Sequence, residues 1–407
     1  MSSDTHHERF EEIDWNEVSR PSWFSLSVNT KGFVAVSAVV IALFVYDLLF
    51  VPADTATFAA VTDALAATGL EIEWGYNVTQ TDWLFSMTLL MLFFYGTLPL
   101  YQNPRMTRYY WGRFKENRPA MLSLAYLIVI LVIGLVGPLF LSRPELSVLE
   151  KYQPPVFMTV PEDTVVQCVG EVSNGRCHGS WQYPFGTTSE GKDIVRIIVY
   201  GMQVSMKVGL ISALFAGIIG SIVGIVAAYS SGLVDEVLMR YVDIQQTFPS
   251  FILFLMLTYL FGASLFLFIL IFGGFSWGNT ARYVRSNALQ KTEEEYIQAA
   301  KASGASTWLI VRRHLVPNTA SSIITNLTLL IPSFILFEAV LSFLGVGDPT
   351  IPSWGQAIAS GRSDLAFAPW IATIPGIFLF FTILAFNFLG DALLDALNPR
   401  AETETEG

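Results

Sequence analysis

Residues Glu293–Asn318 read EEEYIQAAKASGASTWLIVRRHLVPN and form the longest polar interruption in the apolar half of the chain. Helix-forming residues run as far as Ala302, and three carboxylates stand at the N-terminal end, where the helix dipole favours negative charge. The pattern therefore predicts a first helix that begins near Glu293. Gly304 is placed to end this helix, and a second helix is predicted to stop at Pro317.

Small residues are concentrated on one side of this predicted elbow. Ala299, Ala300 and Gly304 leave little side-chain bulk there, so the groove of another protein could approach the backbone closely. We interpret the stretch as a docking surface. The alternative is an amphipathic connector that lies on the membrane surface between two spans, and the stretch by itself is more typical of such a connector.

The composition of the chain is that of a membrane protein. Its 407 residues are 53% hydrophobic and only 14% charged, which excludes an ordinary soluble globule. The formal net charge of -11 is explained by a solvated acidic surface rather than by a basic partner, and nothing indicates nucleic-acid binding. Residues 1–31 lack the apolar core of a cleavable signal, so we expect a cytoplasmic N-terminal segment, and residues 401–407 form an acidic tail.

Apolar runs long enough to cross a bilayer predict an all-α polytopic membrane protein. The run 248–278 has double length, and its Gly262-Ala263-Ser264 break predicts a helical hairpin. Counting that run twice gives about eight transmembrane helices. The other runs are 32–51, 83–100, 119–141, 204–229, 319–344 and 368–389.

Basic residues predict the sidedness of these spans. Cytoplasmic loops are enriched in Lys and Arg, whereas the loop 52–82 has neither and should lie outside. An even number of spans separates the two basic clusters, so we expect both termini in the cytoplasm and the chain in the plasma membrane. The clusters are Arg105, Arg108, Arg113, Lys115 and Arg118, and then Arg282, Arg285, Lys291, Lys301, Arg312 and Arg313.

The predicted external segment 142–203 contains both cysteines of the chain. Cys168 and Cys177 would close a short loop by a disulfide on an oxidising face, and two free thiols are the alternative. Residues 186–193 imitate a phosphate-binding loop, but Asp193 stands where that motif needs Ser or Thr. We therefore expect a local hydrogen-bonded turn and no nucleotide site.

The stretch around Gly304 resembles the cytoplasmic coupling loop of binding-protein-dependent ABC importer permeases. The family pattern is Glu-Ala-Ala, three residues, Gly, nine residues, then Ile-x-Leu-Pro, and this chain has Gln298-Ala299-Ala300, Gly304 and His314-Leu315-Val316-Pro317. The departures are Gln for Glu, His for Ile and Val for Leu. Tyr296 and Asn318 also match the dipeptide/oligopeptide branch of the family.

Further matches follow in family order over about residues 120–400. They indicate the second permease subunit of dipeptide, oligopeptide or nickel importers, with a type I core of six spans in residues 119–400. Residues 1–118, which include two extra spans within residues 32–118, match no family that we recognise. The matching positions include Phe185-Gly186-Thr187, Tyr200-Gly201, Asp235, Asp243, Trp277, Leu341-Ser342-Phe343-Leu344-Gly345, Ser353-Trp354-Gly355, Pro375-Gly376 and Gly390-Asp391.

The resemblance implies a transport subunit that works by alternating access and has no catalytic, cofactor or metal site of its own. Its implied partners are a second permease, two ATPase subunits, an external substrate-binding protein and the lipid bilayer. The coupling loop would occupy residues 279–318. The residues that the resemblance assigns to ATPase coupling are Tyr296, Gln298, Ala299, Ala300, Gly304, His314 and Pro317.

Two polar side chains inside predicted spans are of note, whereas the Asp47 carboxylate lies near the outer end of its span and could reach water. Glu338 supports an alternative function, a proton-coupled secondary transporter or a channel, because an intramembrane carboxylate is a functional candidate by default. The resembling family also carries Glu at this position, which favours a buried structural role instead. Asn387 is the second intramembrane polar residue of note.

Overall fold

The computed structural model of the chain describes residues 27–52, 57, 78–230 and 232–397. A three-stranded antiparallel sheet, with its last strand in the centre, lies in the segment between the helices Arg118–Phe140 and Ile194–Ser230. Its strands are β1 (Thr159–Pro161), β2 (Val172–Ser173) and β3 (Arg176–His178). The helices are α1 (Val28–Phe50), α2 (Gln80–Gln102), α3 (Pro104–Phe114), α4 (Arg118–Phe140), α5 (Ile194–Ser230), α6 (Gly232–Thr247), α7 (Ser250–Phe261), α8 (Leu265–Phe275), α9 (Gly278–Thr292), α10 (Glu295–Ala302), α11 (Thr307–Phe343), α12 (Trp354–Gly361) and α13 (Trp370–Leu397).

The described residues contain seven helices that are long and apolar enough to cross a membrane, or eight if α6 and α7 count together as one bent span. In this count α8 and α9 form a single helix, Leu265–Thr292. The all-α polytopic fold with about eight spans is therefore confirmed. Helices dominate because a bilayer offers no water to satisfy backbone polar groups, and a helix satisfies them internally.

The double-length apolar run breaks at the predicted glycine. Gly262 has a φ of +84°, and the Ser264 side chain accepts a hydrogen bond from the Leu267 N–H at 3.1 Å to start α8. The legs of the hairpin extend beyond the apolar run. Helix α7 measures only about 18 Å, so its leg needs α6, which meets it at a bend of 67° beside Pro249.

Helix α5 forms the centre of the bundle and packs against α4, α8, α9 and α11. Glycines let α9 approach it closely. A Cβ at Gly224 would lie 2.5 Å from the Ala281 carbonyl oxygen, and one at Gly220 would lie 2.7 Å from the Thr280 side chain. The two helices are therefore in backbone contact, which fixes their relative position.

The segment between α4 and α5 is tied together by a disulfide between Cys168 and Cys177, whose Cα atoms are 5.7 Å apart. Residues 186–193 form a hydrogen-bonded turn. The Thr188 hydroxyl accepts the N–H groups of Glu190 and Lys192 at 3.2 and 3.1 Å. Asp193 accepts the Val195 N–H at 2.8 Å at the start of α5, and burial raises the pKa of this carboxyl. The polar groups of this segment thus form hydrogen bonds within it, as expected for a local hydrogen-bonded turn.

The two added N-terminal spans are pinned to each other at both ends. The Trp83 indole donates to the Asp47 carboxylate at 3.0 Å, and the side-chain amides of Asn29 and Gln102 exchange two hydrogen bonds of 2.8 Å. Asp47, which the sequence leaves free to reach water near the end of its span, is therefore part of the packing between α1 and α2.

A buried ion pair joins the added hairpin to the core. The Lys207 ammonium on α5 lies 2.5 Å from the Asp82 carboxylate on α2, and their side chains are only 7% and 13% exposed. Asp82 also accepts the Thr79 N–H at 2.8 Å, which caps α2. A buried lysine ammonium requires a counter-ion because it has lost its hydration, and Asp82 on α2 provides one.

Asp82→Asn should therefore destabilise the protein by about 3 kcal/mol, because it leaves the Lys207 charge buried without a partner. Replacing both residues by Leu should recover most of this loss, since it removes both charges. Thermal unfolding in detergent measures the effect. The matched control is Asp243→Asn, which breaks the exposed Asp243–Arg282 pair and should cost about 1 kcal/mol or less. Equal losses in the two single variants would contradict this account.

Candidate functional site

The polar elbow begins two residues later than predicted. Glu293 caps the C-terminus of α9, and Glu294 adopts an extended conformation with a ψ of 143° before α10 starts at Glu295. The predicted start near Glu293 is therefore wrong by about half a turn. The three carboxylates are divided among the end of one helix, a break and the start of the next, so only Glu295 lies in the first turn of α10.

Gly304 ends α10 with a left-handed residue. Its φ is +78°, its N–H bonds to the Lys301 carbonyl at 3.0 Å, and the Ala305 N–H bonds to the Ala300 carbonyl at 3.1 Å. This pair of bonds is the Schellman motif, which satisfies the last carbonyls of a helix. A Cβ at Gly304 would meet nothing within 4 Å, so the position needs glycine for its φ rather than for space.

Pro317 does not end the second arm of the elbow. Helix α11 continues from Thr307 to Phe343, and a wider π turn occupies Val311–Leu315. In this turn the Val316 N–H bonds to the Val311 carbonyl five residues back. Proline lacks an N–H and its ring crowds the preceding turn, and the π turn directly before it provides a register in which the helix continues.

The exposed face of α10 differs in part from the predicted one. Ile297 is fully buried, and at about 100° per residue the opposite face carries Ala299 and Ala302, both exposed. Ala300 is half-buried at the edge. The small-residue face therefore consists of Ala299, Ala302 and Gly304. We call these three residues the small face.

Two aromatic contacts brace α10. The rings of Tyr296 and His314 have centroids 6.1 Å apart and link α10 to α11. The Lys301 ammonium lies 5.7 Å from the centre of the Tyr229 ring at the end of α5. The Gln298 amide donates to the Thr292 carbonyl at 3.1 Å and closes the α9–α10 turn. The predicted residues Tyr296, Gln298 and His314 thus hold the elbow in place.

The base of the elbow is closely packed. A small apolar cluster from α5, α9 and α11 lies beneath it and comprises Ile225, Ala228, Val284, Ala288 and Leu315. Beside this cluster Arg285 makes two bonds to the Asp235 carboxylate at 2.6 and 2.5 Å and ties α9 to α6. These contacts connect the base of the elbow to α5, α6 and α9.

The second arm of the elbow carries an exposed apolar patch that is not among the residues predicted from the sequence. Trp308 is 60% exposed and Leu309 is 43% exposed, close along the chain to Gly304. Ser306 caps this arm and Ile310 is buried, so Trp308, two positions before Ile310, had to point outward. That spacing was the available signal. A tryptophan exposed beside small residues is typical of a contact surface.

Glu338 lies far from the elbow, near the other end of α11. The Ser342 hydroxyl donates to its carboxylate at 2.7 Å, and Ser353 makes a second side-chain hydrogen bond to it. Ser353 also accepts the Gln356 N–H at 3.3 Å, which caps α12. Glu338 thus fastens α11 to the start of α12. Asn387 is exposed on α13, and its amide donates to its own helix at the Ile383 carbonyl, 2.9 Å away.

The described residues thus form a bundle of helices able to span a membrane, with a well-packed exposed elbow between two of them. The family model described as binding-protein-dependent transport system inner membrane component matches residues 220–403. A second model, the N-terminal TM domain of oligopeptide transport permease C, matches residues 105–155. The expectation that residues 1–118 match no family is therefore wrong for residues 105–118.

Curated relatives agree with these matches. The oligopeptide transport system permease protein OppC of Escherichia coli K12 is 34% identical over 71% of this chain and 89% of its own length. OppC of Salmonella typhimurium is 36% identical over 71% and 89%. The dipeptide transport system permease protein DppC of Bacillus subtilis is 34% identical over 71% and 84%.

The chain belongs to the family of binding-protein-dependent transport system inner membrane components and is a permease of the ABC-importer class. The family predicted from the elbow is confirmed, and the proton-coupled transporter or channel is not favoured. Among solved structures, the methionine ABC transporter MetNI in inward-facing conformations matches 49% of this chain and 96% of its own, with a TM-score of 0.42 and 20% identity.

Glu338→Gln should preserve transport, because the amide keeps the shape of the side chain and can still accept from Ser342 and Ser353. Glu338→Leu should lower stability by about 2 kcal/mol, since it leaves both hydroxyls without their acceptor. Uptake in proteoliposomes and thermal unfolding measure these effects. A Gln variant that folds and assembles normally yet transports nothing would indicate that Glu338 has to change its protonation state.

Proposed function

We propose that this protein is a transmembrane subunit of an ATP-driven importer of dipeptides or oligopeptides and forms half of the translocation path. The relatives named OppC and DppC support this substrate class. Residues 119–400 would form the transport core, and residues 32–118 an accessory hairpin. Residues 1–26 and 398–407, which include the acidic tail, lie outside the described residues.

The elbow would dock a separate ATPase subunit on the cytoplasmic side. The observation that carries this proposal is the exposed small face beside Trp308 and Leu309, held on a braced base. Small residues allow a partner groove to approach the helix backbone, and the exposed indole provides a large apolar anchor for it. Hydrolysis would then occur in the ATPase subunits, and this chain would respond to their movement.

Helix α11 would transmit that movement. It runs without interruption from Thr307, three residues after Gly304, to Phe343. Thirty-seven residues extend about 55 Å, which takes the helix from the elbow to the hydrogen bonds between Glu338 and the start of α12. A tilt imposed at the elbow would thus be felt at the other end of the core, as alternating access requires.

The remaining partners would occupy other surfaces. The substrate-binding protein would meet the external segment that contains β1–β3. A second permease would complete the path, and the exposed amide of Asn387 on α13 is placed to face it rather than lipid, where a polar side chain is unfavourable.

Ala299→Trp should separate ATPase binding from folding. The side chain is exposed, so the bulk would fall where the partner approaches, and binding should weaken by about 2 kcal/mol or more. Copurification of the ATPase subunits and substrate-stimulated hydrolysis measure the loss. Ala299→Trp tests steric bulk alone, whereas Gly304→Trp would also add backbone strain at a φ of +78°.

Ser286→Trp is the matched control, because it places the same bulk on an exposed position of α9 outside the small face. It should bind the ATPases normally. If Ala299→Trp also binds them and transports peptide, the elbow is only a connector between spans.

The orientation of the chain gives a second test. Four spans, formed by α4, α5, α6–α7 and α8–α9, separate the basic segment 105–118 from the elbow, so both should be cytoplasmic. An impermeant thiol reagent should label Trp181→Cys, which is 80% exposed in the external segment, in intact cells. Ser303→Cys should react only after permeabilisation, and the reverse pattern would overturn the topology. Of the loop 52–82, which the sequence predicts to lie outside, residues 53–56 and 58–77 are not among the described residues.

A further inference from the structure

Helix α3 has no part in the proposed coupling or transport path. It joins α2, which ends at Gln102, to α4, which begins at Arg118, and both of those helices are long and apolar enough to cross a membrane. Because its two ends are attached to the same ends of two neighbouring spans, α3 lies at the level of the lipid headgroups. By the topology above, this is the cytoplasmic surface.

One side of α3 is attached to the core. Phe114 is only 6% exposed and forms an apolar cluster with Ala120 of α4 and Ala392 of α13. Two further apolar side chains, Met106 and Trp111, flank that side and are 54% and 46% exposed. These two side chains widen the apolar sector of α3 beyond the part that the core covers. The helix lies at the level of the membrane interface, where aromatic side chains are favoured.

The other side of α3 is basic. On a wheel of about 100° per residue, Arg105, Arg108 and Lys115 fall within about 80° of one another. All three are exposed, and none forms an ion pair with a described residue. Glu116 is the single carboxylate in residues 104–118. The three cations thus share one side of the helix, beside an apolar sector, and outnumber the carboxylate.

We propose that Arg105, Arg108 and Lys115 form a binding site for anionic phospholipid headgroups of the cytoplasmic leaflet. The exposed guanidinium groups can bind a lipid phosphate with two parallel hydrogen bonds, while Met106 and Trp111 rest on the acyl boundary. Zwitterionic lipids carry an ammonium that cancels the attraction, so the site selects lipids with net negative charge.

The position of this site gives the lipid a structural role. Helix α3 connects the accessory hairpin to the core and packs through Phe114 against the end of α13. Headgroups held on its basic side fix the junction between the two parts on the cytoplasmic side, whereas the Asp82–Lys207 pair fixes it near the other end of α2. An anionic bilayer therefore stabilises the attachment of the hairpin.

The test uses the purified full-length chain and two lipids, phosphatidylglycerol and phosphatidylcholine. Native mass spectrometry should detect phosphatidylglycerol that remains bound after detergent exchange, and little phosphatidylcholine. The triple variant Arg105→Gln/Arg108→Gln/Lys115→Gln should lose this preference. Each basic residue contributes about fivefold near an anionic surface, so the loss should be on the order of 100-fold in affinity.

The matched control is Arg105→Lys/Arg108→Lys/Lys115→Arg, which keeps the three positive charges and exchanges guanidinium and ammonium groups. It should retain phosphatidylglycerol. A neutral variant that keeps as much phosphatidylglycerol as the parent protein would overturn the proposal. So would equal retention of the two lipids by the parent.

A second measurement locates the bound lipid. Both cysteines of the chain form the disulfide, so Met106→Cys carries a unique free thiol for an environment-sensitive dye. In nanodiscs, phosphatidylglycerol should shift the emission to shorter wavelengths relative to phosphatidylcholine, and the neutral triple variant should abolish the difference. An unchanged emission in all three samples would place the lipid elsewhere and contradict the proposal.

Discussion

The structure depends on the requirement that a segment inside a bilayer satisfies its own backbone hydrogen bonds. Each span is therefore a helix, and the chain changes direction only where special residues make a break inexpensive. Gly262 and Gly304 take left-handed conformations at two such points, and Pro249 marks the bend between α6 and α7. The elbow is possible because its break lies outside the apolar runs, where water and capping bonds can satisfy the freed groups.

The elbow has one exposed face and one closely packed face. The exposed small face belongs to a helix whose other side contains the fully buried Ile297 and is braced by contacts to Tyr229 and His314. A flexible loop with the same residues could bind a partner, but it could not transmit a displacement. The π turn at Val311–Leu315 keeps α11 continuous past Pro317, so the second arm of the elbow and the opposite end of the core share one helix.

The accessory hairpin shows how extra spans are attached to an existing bundle. Apolar packing inside a membrane gains little from the hydrophobic effect, because lipid tails are as apolar as leucine. Polar contacts therefore give specificity. Asp82–Lys207 joins α2 to α5, and Asp47–Trp83 joins α1 to α2. At the other end of α2 the covalent link through α3 and its contact with α13 complete the attachment.

The sequence by itself determined the membrane class, the number of spans, the family and the glycine at the elbow, because apolar run length and a positive φ are local properties. Tertiary structure decided where α10 begins, that α11 passes Pro317, and that Ala302 rather than Ala300 lies on the small face. It also decided the partner of Lys207, since Asp82 is far away in the sequence. These features depend on which side of each helix the neighbouring helices cover, and no local pattern specifies that.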